Sequence, residues 1–133
     1  MLFVESEADA LSLAKENYEK VKSEFELSEA EFFLMKINDF TANCDLVIQN
    51  PPFGTKLKHA DKEFLEKAFS LAPIVYSFHK ESTKEFVEKL ALKHGFNATH
   101  HWKYNFPIKA MHKFHTRKIH RISVGVWRFE REA

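Results

Sequence analysis

Glycine is scarce in this chain. Among 133 residues there are three, Gly54, Gly95 and Gly125, about a third of ordinary usage. None precedes position 54, so a G-x-G-x-x-G turn or other glycine-rich phosphate cradle is absent from the stretch before it. Cysteine is scarcer still: Cys44 stands alone, which excludes an internal disulfide framework and a multi-cysteine metal knuckle. His112 and His115 lie three apart with no cysteine or acid near them, so no metal site is expected. No apolar run approaches the roughly 20 residues of a membrane span. The opening Met-Leu-Phe-Val-Glu-Ser-Glu lacks a basic n-region, so no signal peptide is read there and a soluble, cytoplasmic protein is expected. A strong charge excess is missing too. A formal net charge of +1 with 44% hydrophobic residues excludes a disordered chain and fits one folded domain over 1–133.

What is abundant is phenylalanine, with 14 copies, enough for an aromatic core, an aromatic binding face, or both. Charge is balanced in total but segregated along the chain. Residues 1–31 carry nine acids against three lysines, a net of −6, whereas residues 89–129 carry nine bases and no acid. His100, His101, His112, His115 and His120 fall in that second stretch. Such segregation fits a polyanion partner for the C-terminal part, or a solvated basic surface.

Hydrophobic periodicity predicts alternating strands and helices. Residues 2–5 read as a strand, followed by an amphipathic helix opening at Asp9, with Ala10, Leu13, Ala14, Tyr18, Val21 and Phe25 inward. Residues 32–37 and 44–49 are short apolar runs of the kind that form buried strands, Cys44 opening the second as a small core residue. A helix is expected over 61–71, with Asp61 as its N-cap and Phe64, Leu65, Ala68 and Leu71 on one face. A strand follows over 74–78. The next helix is capped by Ser82 or Thr83, with Phe86, Val87, Leu90 and Ala91 inward and Gly95 just past its end. A strand over 96–103, a basic aromatic loop over 109–118 and a strand over 119–129 complete the chain. The alternation is that of an α/β layered sheet with an antiparallel last pair.

The sharpest local feature is Asn50-Pro51-Pro52-Phe53-Gly54, directly after an apolar strand. Prolines cannot continue a ladder, and open α/β sheets bind ligands at the carboxyl ends of their strands. A backbone carbonyl of the proline pair and the Asn50 side-chain oxygen are two adjacent acceptors. Together they would grip both hydrogens of an amino group and aim its nitrogen lone pair, with Phe53 as a face for a base to stack on.

This turn resembles the Asp/Asn-Pro-Pro-Tyr/Phe catalytic motif of S-adenosylmethionine-dependent amino-methyltransferases. With Asp45 to Thr55, Val75 to Thr83 and Lys113 to Lys118, the chain from residue 3 to 130 is similar to the methyltransferase-like protein 5 group of archaea and eukaryotes. That group methylates adenine N6 in small-subunit ribosomal RNA. The resemblance implies a Rossmann-like methyltransferase sheet, mostly parallel with an antiparallel last strand, and S-adenosylmethionine as cofactor. It implies that Asn50 and Pro51 hold the adenine amino group, Pro52 shapes the turn and Phe53 stacks on the base. Glu5 corresponds to the acid that holds the cofactor's ribose hydroxyls. Lys113, Phe114, His115, Arg117 and Lys118 correspond to the basic substrate loop. Lys36 stands where the group has an Asp beside the cofactor's adenine, with Asp39 as a substitute three residues on. Relatives carry a further N-terminal strand and an Asp-x-Gly-x-Gly-type loop, and this chain matches a relative entered at its second strand, so the cofactor site is expected to be incomplete.

Relatives also pair with a small zinc-binding activator, which adds strands at an outer edge. The resemblance implies such a partner along residues 31–37, where Glu31 and Lys36 are the alternative protection of that edge. Two other functions stay open. Similar enzymes methylate glutamine side chains of release factors. A chain without the glycine loop also fits a cofactor-free RNA-binding remnant, or a fragment of a split or mis-annotated gene.

Overall fold

The computed structural model describes residues 1–52, 60–109 and 119–133. Its described elements are β1 (Leu2–Glu5), α1 (Ala8–Glu24), β2 (Glu31–Leu34), β3 (Val47–Gln49), α2 (Ala60–Leu71), β4 (Ile74–Lys80), α3 (Lys84–Lys93), β5 (Phe96–Lys109) and β6 (Ile119–Arg131). Short 3-10 turns occur at Ile37–Asp39 and Glu81–Thr83. The chain divides into two units, Met1–Ala42 and Asn43–Ala133. No described helix is long and apolar enough to cross a membrane.

In the first unit β1 and β2 are parallel, in the register Phe3 with Phe32 and Glu5 with Leu34. Parallel neighbours need a crossover, and the 17-residue α1 supplies it. Phe3 stacks on Phe32 with ring centroids 4.9 Å apart, and Tyr18 of α1 meets both rings edge-on. The Tyr18 hydroxyl donates to the Ser28 carbonyl at 2.6 Å, tying the helix to the segment before β2.

The helix starts one residue earlier than expected, with Glu7 at the N-cap position and Asp9 in the first turn, where the helix dipole favours an acid. Its inward stripe also differs. Leu11 and Tyr18 are buried, whereas Ala10 is exposed, as are Leu13 (56%), Val21 and Phe25 (63%). The α1 face that packs on the two strands is narrower than its apolar arc. β2 stops at Leu34, short of the expected Ile37, because β1 offers only four residues to pair with. The Met35 amide makes a last bond to the Glu5 carbonyl, and Ile37 then enters a 3-10 turn that brings Phe40 against Phe33.

In the second unit the strand order is β3-β4-β6-β5. β3 and β4 are parallel, joined across α2, and β6 runs antiparallel to both β4 and β5. α2 packs on β4 and α3 on β5. Their buried faces, Leu65, Ala68 and Phe69 with Val87, Leu90 and Ala91, close over Val75, Phe96, Trp127 and Phe129. Phe69 stacks on Phe96 at 4.4 Å and meets Phe129 edge-on at 5.5 Å.

Several expectations for this unit need correction. β3 has three residues, not six, and begins at Val47, so Cys44 precedes it and bonds through its amide to the Leu71 carbonyl. Asp61 lies inside α2, where its carboxylate accepts the Lys62 amide at 3.0 Å. Thr83 occupies the N-cap position of α3 but makes no capping bond, because its hydroxyl donates back to the Lys80 carbonyl. Phe86 is 38% exposed and faces outward. Lys109, expected in the basic loop, is the last residue of β5. Residues 110–118 of that loop lie outside the described residues. Gly95, at φ 77°, ends the helix as its left-handed conformation favours.

Two packing features yield measurable expectations. Gly125 pairs opposite His79, and a Cβ at 125 would be driven into the Trp127 ring and the Glu81 carboxylate. Gly125→Ala is therefore expected to destabilise the 43–133 unit by about 1–3 kcal/mol, read as a lower urea midpoint at unchanged slope. His79 is 1% exposed, and burial lowers its pKa from 6.5 to about 4. Between those values the unfolded chain takes up a proton that the folded chain refuses. Stability is thus retained above pH 6.5 and declines as pH falls toward 4, by about 3 kcal/mol in all. Urea titrations across that range are expected to lose this part of the slope in His79→Gln.

Candidate active site

The Pro-Pro turn sits where a parallel strand ends. β3 finishes at Gln49, in register with Ser77 of β4, and Asn50-Pro51-Pro52 follows at its carboxyl end. Neither proline has an amide hydrogen, so neither can extend the ladder. Pro51 is buried, while Asn50 and Pro52 are exposed. A packed proline therefore anchors the turn and presents the asparagine beside it.

Next to the turn lies a chain of polar groups, half-buried at Gln49 and buried at Ser77 and His79. Val75, Ser77 and His79 alternate onto the inner face of β4, as a two-residue period requires. The Gln49 Nε2 donates to Ser77 Oγ at 3.0 Å, and Ser77 Oγ is 2.7 Å from His79 Nε2. Ser77 Oγ accepts from Gln49 with one lone pair, and the direction of its bond to the neutral His79 imidazole is set by the tautomer. Burial favours that neutral form. Nδ1 has no hydrogen-bond partner among the described residues. Gln49, Ser77 and His79 were not singled out from the sequence. The available signal was a serine and a histidine on the same strand face as Val75 in an otherwise apolar strand.

The opposite face of this sheet carries aromatic rings and a cation. Tyr76 stacks near Trp102 at 6.4 Å, His100 stacks on Trp102 at 5.3 Å, and the Arg128 guanidinium lies 6.0 Å from the Tyr76 ring. Arg128 also bonds to Glu130 and Thr99, and its bond to Glu130 raises its pKa above the ordinary value.

Glu5 is the last residue of β1, in the other unit. One carboxylate oxygen accepts the Glu7 amide at 3.1 Å, which orients the group. Lys36 and Asp39 are exposed, at the start and the end of the 3-10 turn after β2. Phe53, Lys113, Phe114, His115, Arg117 and Lys118 lie outside the described residues. Asn50 and Pro51 are thus brought together with Gln49, Ser77 and His79, while Glu5 is described within its own unit. Among the described residues no three His, Cys, Asp or Glu side chains gather in a metal-binding group.

No protein-family model matches the chain. It is 36% identical over 140 residues to an uncharacterized protein of Methanocaldococcus jannaschii, covering 96% of this chain and 62% of that protein. It is 36% identical over 129 residues to the rRNA N(6)-adenosine-methyltransferase METTL5 of Danio rerio, covering 91% of this chain and 59% of that one. Among solved structures, a Pyrococcus horikoshii protein described as a candidate RNA methyltransferase superposes with a TM-score of 0.84 at 35% identity, over 99% of this chain and 63% of its own. The chain therefore spans about three fifths of the length of these relatives. The β3-β4-β6-β5 order with an antiparallel β6 is accordingly part of a Rossmann-like methyltransferase fold. In sequence and in fold, the chain resembles the METTL5-like group over about three fifths of its relatives' length.

Proposed function

We propose that the protein is an S-adenosylmethionine-dependent methyltransferase acting on adenine N6 of RNA, with ribosomal RNA as substrate and the cytoplasm as its site of action. The observation that carries this reading is the Asn50-Pro51-Pro52 turn at the carboxyl end of parallel strand β3, anchored by a buried Pro51. The similarity to METTL5 of Danio rerio supports the same chemistry.

Asn50 Oδ1 and the Pro51 carbonyl accept the two hydrogens of the adenine amino group. Both N–H bonds are then directed at the protein and the nitrogen lone pair faces the methyl donor. S-adenosylmethionine supplies a methyl group on a positively charged sulfonium, a leaving group good enough for direct displacement. No general base is needed, because the proton leaves the methylated amine for water after transfer. What the protein contributes is positioning and acceptor dipoles. Phe53 stacks on the base. Lys113, Arg117 and Lys118 grip phosphates, with Phe114 and His115 against the bases. Glu5 fits a role toward the cofactor: its free carboxylate oxygen at a strand's carboxyl end suits the two hydroxyls of a ribose.

A small zinc-binding activator pairs along β2 in this reading. Support comes from the sheet itself: β2 pairs only with β1 among the described residues, and Lys36 lies beyond the strand, leaving Glu31 as its one charged residue.

The test is to incubate the protein, with and without the activator, with ribosomal RNA and labelled cofactor. N6-methyladenine is the expected product. Asn50→Ala is expected to lower kcat by about 10²-fold through loss of one acceptor. Arg117→Ala is expected to weaken RNA binding across sequences and to reduce its salt dependence by about one counterion. Methylation of a release-factor glutamine in place of RNA would reverse the substrate assignment. RNA binding without cofactor binding at millimolar concentration would make the chain a remnant.

A further inference from the structure

We infer that Gln49, Ser77 and His79 are positioning residues for the candidate site: a buried hydrogen-bonded strut that holds the Asn50–Pro51 turn in its amino-gripping geometry. This rests on the function proposed above and names three residues that do not themselves touch substrate.

The backbone does not tie the turn to β4. β3 pairs only with β4 among the described residues, and its last rung is Gln49 with Ser77. The next two ladder positions past Asn50 are prolines, so no amide there can tie the turn back to β4. The side-chain bond from Gln49 to Ser77 is therefore the last described cross-strand link before the turn.

Burial makes that link stiff. Ser77 is 0% exposed and His79 1%, so water does not compete for their bonds, and a buried polar group costs free energy unless its partner is fixed. Gln49 donates to Ser77 Oγ, and Ser77 Oγ is bonded to His79 Nε2 at 2.7 Å in the direction the imidazole tautomer sets. A hydroxyl held between two such partners has little freedom left to rotate. His79 is held in turn by the edge of Trp127, with ring centroids 5.9 Å apart, and lies opposite Gly125. An apolar trio would fill the same space without demanding any directionality. The polar trio orients Gln49, and Gln49 precedes the acceptor residue directly. Misplacing a reacting group by about 1 Å costs about 10²-fold in rate, so a strut one residue away from Asn50 bears on catalysis.

The experiment has two readouts, only one of which needs methyl transfer. In the isotopically labelled full chain, NMR of the wild type is expected to show His79 as a neutral imidazole in one tautomer, hydrogen-bonded through Nε2 to Ser77. The Asn50 backbone and side-chain amide signals are expected to shift or broaden in Ser77→Ala, His79→Leu and Gln49→Met. They are expected to return toward wild type in His79→Gln, which keeps a hydrogen-bonding group near the Nε2 position. Signals of β5 and β6 serve as the folding control. Gln49→Met, at a half-buried strand end, remains informative even where the two core variants unfold. In the methyl-transfer assay, Gln49→Met and His79→Leu are expected to lower kcat by about tenfold to 10²-fold with KM for RNA and cofactor within about twofold, and His79→Gln to recover most of the loss. Unmoved Asn50 signals in a folded Gln49→Met variant, or a loss confined to KM, would overturn the inference. Asn50 signals that respond in a wild-type background showing no transfer to any RNA would leave the strut standing and remove the methyltransferase reading instead.

Discussion

Proline has no amide hydrogen to give a sheet, and two in succession after Asn50 end β3 at its third residue. The rest of the candidate site follows from that constraint. The last rung falls on Gln49 and Ser77, and the asparagine is released from the ladder at the carboxyl end of a parallel strand. The exposed acceptor and the packed Pro51 beside it are consequences of one interrupted hydrogen-bond series. A strand that continued would have spent the Asn50 and Pro51 carbonyls on a neighbour. Stopped here, the ladder does not engage them.

The core beneath admits two adjacent buried polar side chains on β4. α2 and α3 close an aromatic and aliphatic cluster over β4, β5 and β6. Within it Ser77 and His79 are buried side by side. They are tolerated because they bond to one another and to Gln49, and because burial keeps the imidazole neutral. Gly125 belongs to the same arrangement, since it leaves the space that Trp127 and Glu81 occupy. Trp127 in turn donates to Glu88 on α3 and stacks on His101, so the polar trio is bordered by a rigid aromatic wall.

The first unit solves a smaller problem with fewer contacts. Two four-residue strands and one helix share a cluster of Phe3, Phe32 and Tyr18. Much of the remaining apolar surface of α1 stays exposed. At the end of β1 the Glu5 carboxylate is oriented by the Glu7 amide.

By itself the sequence determined the element types and the motif. Every described strand and helix was foreshadowed by apolar spacing, the antiparallel last pair by the missing helix between its strands, and the end of β3 by two prolines after an apolar run. It also carried the shortage of glycine before position 54. Only the tertiary structure decided how long β2 and β3 run, because a strand lasts as long as its partner, and which side of α1 and α3 is buried, because spacing defines a face but not what meets it. Leu13, Phe25 and Phe86 were misplaced for that reason. The Gln49–Ser77–His79 strut was out of reach for a related one: its members come from two strands 28 residues apart, and their adjacency exists only in the register of β3 on β4. A serine and a histidine in an apolar strand announce that something polar is buried there. Their partner is named by the sheet.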